Sequence, residues 1–212
     1  MQGLISHGVV VYESFGDLDG LLFDDELEYA QGMLKKRRSE FATGRICARR
    51  ALQKLGVQPV PILKDASGAP LWPANVVGSI THCRGYRAAA VGTVGEFMSI
   101  GIDAEPAQAL PDGVLEQIAI PSEVSRLRHV QQELGSVPAG RLLFCIKEAI
   151  YKAWSPVENV WLDYDQAEVC ISRDGSFEAL IDRGHSKVQI FPELVKGRWR
   201  PTKSHLYAAL IL

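Results

Sequence analysis

The residues RLLFCIKEAIYKAW, 141–154, constrain the fold more than any other stretch of the chain. Leu142, Cys145, Ile146, Ala149, Ile150 and Ala153 recur at helical spacing along it. A period held over about four turns defines an amphipathic helix that must lay one face on a core. Lys147, Glu148, Tyr151 and Lys152 occupy the opposite side. The layer that receives the helix has to come from short strand-like runs: VVGSI (76–80), YRAAAVG (86–92), EFMSIGIDAE (96–105), a hairpin over 166–181 turning at Asp174-Gly175, KVQI (187–190) and HLYAALIL (205–212). The turn-like THCRG and TVG separate the first three runs. Residues 24–55 read as a further helix, acidic at its start and stopped by Gly56. Its stripe Leu34, Arg37, Phe41, Arg45, Ala48, Leu52, Leu55 carries two arginines. A third helical region spans 112–134, with Pro121, Ser122 and Glu123 as a start signal. Each half runs from helix to strands, and THCRGYRAAAVG faintly echoes SHLYAALIL. A duplicated α+β unit with halves 1–101 and 102–212 would account for both.

Composition narrows the class. Lys+Arg 23 against Asp+Glu 25 gives a net charge of -2, with 47% hydrophobic and 23% charged residues. Neither a disordered chain nor a globally basic nucleic-acid binder has that balance. The four cysteines form no CxxC pair, so neither a disulfide framework nor a zinc site is suggested. The apolar runs are strand-sized and MQGLISHGVVVY lacks the form of a signal peptide. A cytoplasmic protein acting away from membranes is expected.

Four motifs could carry chemistry. In SIGIDAEP, Asp103 and Glu105 are two apart on a strand and share a face. Adjacent carboxylates repel unless a cation lies between them, and Mg²⁺ takes oxygen ligands; alternatively they are two solvated acids at a strand end. On helix 141–154, Glu148 and Lys152 stand at the spacing of an ordinary surface ion pair. The functional alternative makes Glu148 a third metal carboxylate and aims Lys152 at a phosphate. In GSITHCRG, Ser79, Thr81 and His82 lie where a strand opens into a turn, and a histidine there can donate to an anionic oxygen or merely bond backbone. Finally, Arg37 and Arg45 in an apolar stripe need an anionic partner or a cleft edge, because a guanidinium is not buried unpaired. Lys64, in ILKDASG, adds a further phosphate ligand. Together these groups describe a site that neutralises a diphosphate around Mg²⁺.

GSITHCRGYRAAAVG, SIGIDAEP and FCIKEAIYKAW, in that order, with RRSEFATGRICARRAL and PILKDASGAPLWP upstream, resemble the 4'-phosphopantetheinyl transferases, in particular the type serving siderophore, polyketide and fatty-acid synthases and its actinobacterial branch. The resemblance implies a pseudo-dimer of two similar α+β halves with the site in the cleft between them. It implies transfer of phosphopantetheine from coenzyme A to a serine of an acyl- or peptidyl-carrier protein, with release of adenosine 3',5'-bisphosphate. Mg²⁺, or alternatively Mn²⁺, would be held by Asp103, Glu105 and Glu148, with Glu148 also a candidate general base. Lys152 and His82 would hold the diphosphate. Arg37, Arg45 and Lys64 would surround the 3'-phosphoadenosine, with Ser79 and Thr81 in a loop beside it. A monomer that binds no nucleic acid is expected, with the carrier contact near 112–134 and its Arg126 and Arg128. The residues alone leave open a metal-dependent nuclease or phosphodiesterase and a non-catalytic module that binds coenzyme A.

Overall fold

The computed structural model describes residues 1–184 and 188–212. It is an α+β protein whose chain divides into two compact units, Met1–Ile100 with Leu212, and Gly101–Ile211.

In the first unit, strands β1 (Val10–Ser14), β2 (Val76–Cys83) and β3 (Tyr86–Thr93) form an antiparallel sheet in the order β1-β3-β2. β2 and β3 join through the two residues Arg84 and Gly85, so Thr81, His82 and Cys83 of the expected turn belong to the strand. Helices α1 (Asp24–Ala30) and α2 (Lys35–Lys54) replace the single helix expected over 24–55. The break falls around Gly32, a poor helix former, and Leu34 there is exposed and not part of the core. From Phe41 onward the stripe is as expected. Cys47, Ala48, Ala51 and Leu52 pack with Ile62 on Val76, Ala89 and Val91 of the sheet. α2 ends where Gly56, at φ +84°, donates to the Gln53 carbonyl (3.1 Å) and Val57 donates to that of Leu52 (2.9 Å). These two bonds satisfy the last carbonyls, and the left-handed backbone explains the glycine.

In the second unit, β4 (Ile100–Pro106) is followed by a short α3 (Leu115–Ile118), α4 (Pro121–Leu134) and α5 (Ala139–Glu158). The helical region expected over 112–134 is thus split. Pro121 opens α4, and Glu123 accepts the Ile120 N–H at 3.0 Å. α5 begins two residues before the expected 141, its Ala139 N–H satisfied by the Gln131 side chain from α4 (2.9 Å). The sheet runs β4-β8-β7-β6-β5, with β5 (Ala167–Ile171), β6 (Ser176–Ile181), β7 (Leu194–Pro201) and β8 (His205–Ile211). The β5–β6 hairpin turns at Asp174-Gly175 as expected. KVQI is not a strand over its described residues Val188–Ile190, and its Lys187 lies outside the described residues. The strand is instead β7, where Val195, Gly197 and Trp199 face inward and alternate with Lys196 and Arg198. EFMSIGIDAE is likewise extended only from Ile100. Leu142, Cys145, Ile146, Ala149, Ile150 and Ala153 of α5 are all buried, as their period demands. The full burial of an Ile or Leu contributes about 1.5–3 kcal/mol, so this face anchors the unit. Among the described residues, no helix is long and apolar enough to cross a membrane.

Candidate active site

Asp103 and Glu105 project together from β4, while Ala104 between them is buried on the other face. α5 reaches this strand because residue 101 is glycine. A Cβ there would lie 2.0 Å from the Ala149 carbonyl oxygen and 2.7 Å from the Ala153 nitrogen. One turn on, Lys152 Nζ meets Asp103 Oδ1 at 2.6 Å. Lys152 therefore does not close the surface pair with Glu148 that its spacing allowed. Burial would lower the Lys152 pKa, but Asp103 and then Glu148 more than offset this and raise it. Glu148 accepts the Tyr164 hydroxyl at 2.7 Å, and Glu105 accepts from Arg141 at 3.0 Å. Burial, followed by repulsion from Asp103, pushes Glu105 up to about 7 even though Arg141 opposes the shift. The Tyr164 phenol is raised by burial, then by Glu148, Asp103 and Glu105, so all three acids act on one locale. Oxygen donors under mutual repulsion fit a hard divalent cation. Among the described residues, however, no three His, Cys, Asp or Glu side chains are gathered into a group that could hold a metal ion. Each acid is turned to Lys152, Arg141 or Tyr164. A cavity of about 80 Å³ opens beside Glu148, lined by Tyr151, Trp161, Leu162 and Tyr164 among others.

Lys147, expected on the polar side of α5, is buried. It donates to Glu123 (2.8 Å) and to the Tyr164 carbonyl (2.6 Å), while Glu123 also accepts the Val169 N–H (2.8 Å). This pair ties α4 and β5 to the helix that carries Glu148. In α4 itself, Arg126 is bound to Glu168 at 2.9 Å and Arg128 is exposed.

The first unit holds the basic groups. Arg45 is 3% exposed; its Nε donates to the Ile62 carbonyl at 2.7 Å and its guanidinium lies 4.2 Å over the Phe41 ring. Its second terminal nitrogen is buried with no hydrogen-bond partner. Burial pushes the group down to about 10. Lys64 is lowered by burial and then by Arg37 and Arg45, which brings these three cations into one field. Arg37 stands 2.5 Å from His82 Nε2. A guanidinium only donates, so Nε2 accepts and Nδ1 carries the proton toward Glu40, 3.7 Å away. Glu40 also faces Arg37 (3.7 Å) and Arg87 (3.9 Å). His82 is therefore grouped with Arg37, whereas Lys152 belongs to the other unit. Ser79 and Thr81 are buried inside β2 and not in a loop. They alternate with Ile80 and His82, whose face is the one turned to α2.

Sequence reasoning missed Gly101, Arg141, Tyr164 and Glu40. Gly101, two residues before Asp103 in an apolar strand, is the kind of position that signals close backbone approach. Tyr164 and Arg141 come from separate elements, and no local pattern connects them to the acids.

A family model described as the 4'-phosphopantetheinyl transferase N-terminal domain matches residues 25–92, and one described as the 4'-phosphopantetheinyl transferase superfamily matches residues 99–208. The chain is 40% identical over 207 residues to the 4'-phosphopantetheinyl transferase PptT of Mycobacterium tuberculosis, covering 94% of this chain and 90% of that protein. It is 47% identical over 160 residues to the 4'-phosphopantetheinyl transferase Svp of Streptomyces mobaraensis, covering 75% of this chain and 65% of that protein. Against enterobactin synthase component D of Escherichia coli K12, identity is 32% over 154 residues, with 69% of this chain and 71% of that protein covered.

Proposed function

Because the chain belongs to the 4'-phosphopantetheinyl transferase superfamily, we propose that its donor is coenzyme A, its acceptor a serine hydroxyl of an acyl- or peptidyl-carrier protein, and its second product adenosine 3',5'-bisphosphate. The observation that carries this reading is the cluster of Arg45, Arg37 and Lys64. A buried guanidinium with an unpartnered nitrogen, in a field of like charge, is suited to a compact anion. The 3'-phosphate of coenzyme A supplies one.

Arg45, Arg37 and Lys64 bind this 3'-phosphate. Lys152 holds the diphosphate. Asp103, Glu105 and Glu148, turned from Lys152, Arg141 and Tyr164 toward a common point, would hold Mg²⁺ or Mn²⁺, and the cation would neutralise the diphosphate and the charge that develops as its bond breaks. Glu148 takes the proton of the incoming serine, its carboxylate oriented by the Tyr164 hydroxyl. The serine oxygen bonds to the phosphorus that bears the pantetheine arm. The bond from that phosphorus to the oxygen of the adenosine bisphosphate breaks, and the leaving phosphate keeps the electron pair. The apolar cavity beside Glu148 suits part of the pantetheine arm. The acceptor meets the surface near α4, where Arg128 is the exposed cation. Acceptors in siderophore, polyketide or fatty-acid synthesis are the carrier class of this reading.

Chromatography of the nucleotide products tests it. Adenosine 3',5'-bisphosphate should appear only with coenzyme A, Mg²⁺ and an apo-carrier all present. Its formation without a carrier, or with a carrier whose acceptor serine is alanine, would refute the reaction.

A further inference from the structure

Glu26, on α1, is fully buried and belongs to none of the four motifs above. Its two oxygens collect four hydrogen bonds. Arg49 Nη1 donates to both, at 2.8 and 2.6 Å, the Phe23 N–H donates at 3.1 Å, and the Ile62 N–H donates at 2.9 Å. The last bond matters beyond α1. The other end of residue 62, its carbonyl, is the acceptor that fixes Arg45 Nε at 2.7 Å. Ile62 is thus gripped on its N–H by Glu26 and on its oxygen by Arg45. Two residues farther along the same chain stands Lys64, which forms an isolated bridge with Pro70. Arg49, which shares Glu26, is itself anchored to the Leu21 carbonyl at 2.8 Å, so the carboxylate is held from more than one side.

We propose that Glu26 is a positioning residue for the 3'-phosphate end of the donor. By clamping the Ile62 peptide between α1 and α2, it aims the Arg45 guanidinium and places the segment that carries Lys64. The inference rests on the reading that Arg45 and Lys64 meet the 3'-phosphate. A carboxylate suits the role because it accepts several donors at once, and its charge offsets Arg49 without approaching the anion directly. Loss of Glu26 would let the Ile62 peptide and the guanidinium reorient together. The groups at the diphosphate and the acids on β4 and α5 would keep their places.

The test compares coenzyme A with dephospho-coenzyme A, which lacks the 3'-phosphate, in steady-state transfer by wild type, Glu26→Gln, Glu26→Ala and Arg45→Ala. Glu26→Ala should raise the KM for coenzyme A about tenfold and leave kcat, and the KM for dephospho-coenzyme A, within about twofold. Glu26→Gln keeps one acceptor for the Ile62 N–H, so it should rise less, and it carries the test should the alanine variant not fold. A purely structural role would affect both donors alike. Arg45→Ala sensitive to the 3'-phosphate, together with Glu26 variants that are not, overturns this inference alone. Arg45→Ala insensitive to it overturns the reading of the anion site and this inference with it.

Discussion

Replacing Gly101 by alanine should damage the acidic half of the site without touching any of its functional groups. The added Cβ would lie 2.0 Å from the Ala149 oxygen, and real Cβ atoms essentially never approach within 3.0 Å, so the gap must open by about 1 Å. Neither obstacle is a flexible side-chain tip; both are the α5 backbone. Overpacking of this kind costs about 1–3 kcal/mol, and this clash belongs at the upper end or beyond. The same 1 Å separates Lys152 from Asp103, whose 2.6 Å bond spans α5 and β4, and pulls Glu148 away from Glu105. A misplacement of that size at reacting groups reduces turnover by about a hundredfold. Urea unfolding gives the first quantity, and turnover of the folded variant at saturating donor gives the second. Gly101→Ala with wild-type midpoint and wild-type turnover would show that close approach of α5 to β4 does not position the acids.

Asp103→Asn, Glu105→Gln and Glu148→Gln should each remove most turnover while the fold is kept. Chelator should do the same to the wild type and added Mg²⁺ should reverse it, because several kcal/mol of charge stabilisation is lost; near-normal rates in all three variants would contradict the metal assignment. Arg45→Ala should weaken coenzyme A binding by about 1–3 kcal/mol by calorimetry, whereas Lys152→Ala should impair coenzyme A and its dephospho form equally. Lys147→Met should lower stability by about 3–5 kcal/mol in urea, because the Glu123 carboxylate is then buried without its cation; a loss below 1 kcal/mol would contradict that pairing. Arg128→Glu should raise the carrier KM more than it lowers kcat, and more than Arg126→Glu does, since Arg126 is already engaged by Glu168.

The elements legible in the sequence were those whose period is long or whose punctuation is strong. α5, the Asp174-Gly175 hairpin and the stop at Gly56 were readable because local chemistry dictates them. The break between α1 and α2 was not, since an isolated glycine in a helical pattern is tolerated, as Gly44 is within α2. β7 reads less clearly as a strand than KVQI does. Its inward side carries Gly197, whose missing side chain makes room for the Phe177 ring, so the alternation reads weakly. At the site, Asp103 and Glu105 followed from strand geometry, and the stripe arginine Arg45 from the cost of burying charge. Partners were beyond reach. Nothing local says that Lys152 chooses Asp103 over Glu148, that Tyr164 holds Glu148, or that His82 rests on Arg37, because each choice is made by tertiary packing.

The most direct test of the central claim is the intact mass of an apo-carrier protein after incubation with the enzyme, coenzyme A and Mg²⁺. The carrier should gain the mass of one phosphopantetheine group with wild-type protein. In the same time it should gain little with Glu148→Gln or with chelator present, and none when its acceptor serine is alanine. A carrier that stays at its apo mass across a panel of acyl- and peptidyl-carriers, with wild-type enzyme shown to be folded and to bind coenzyme A, would contradict the account.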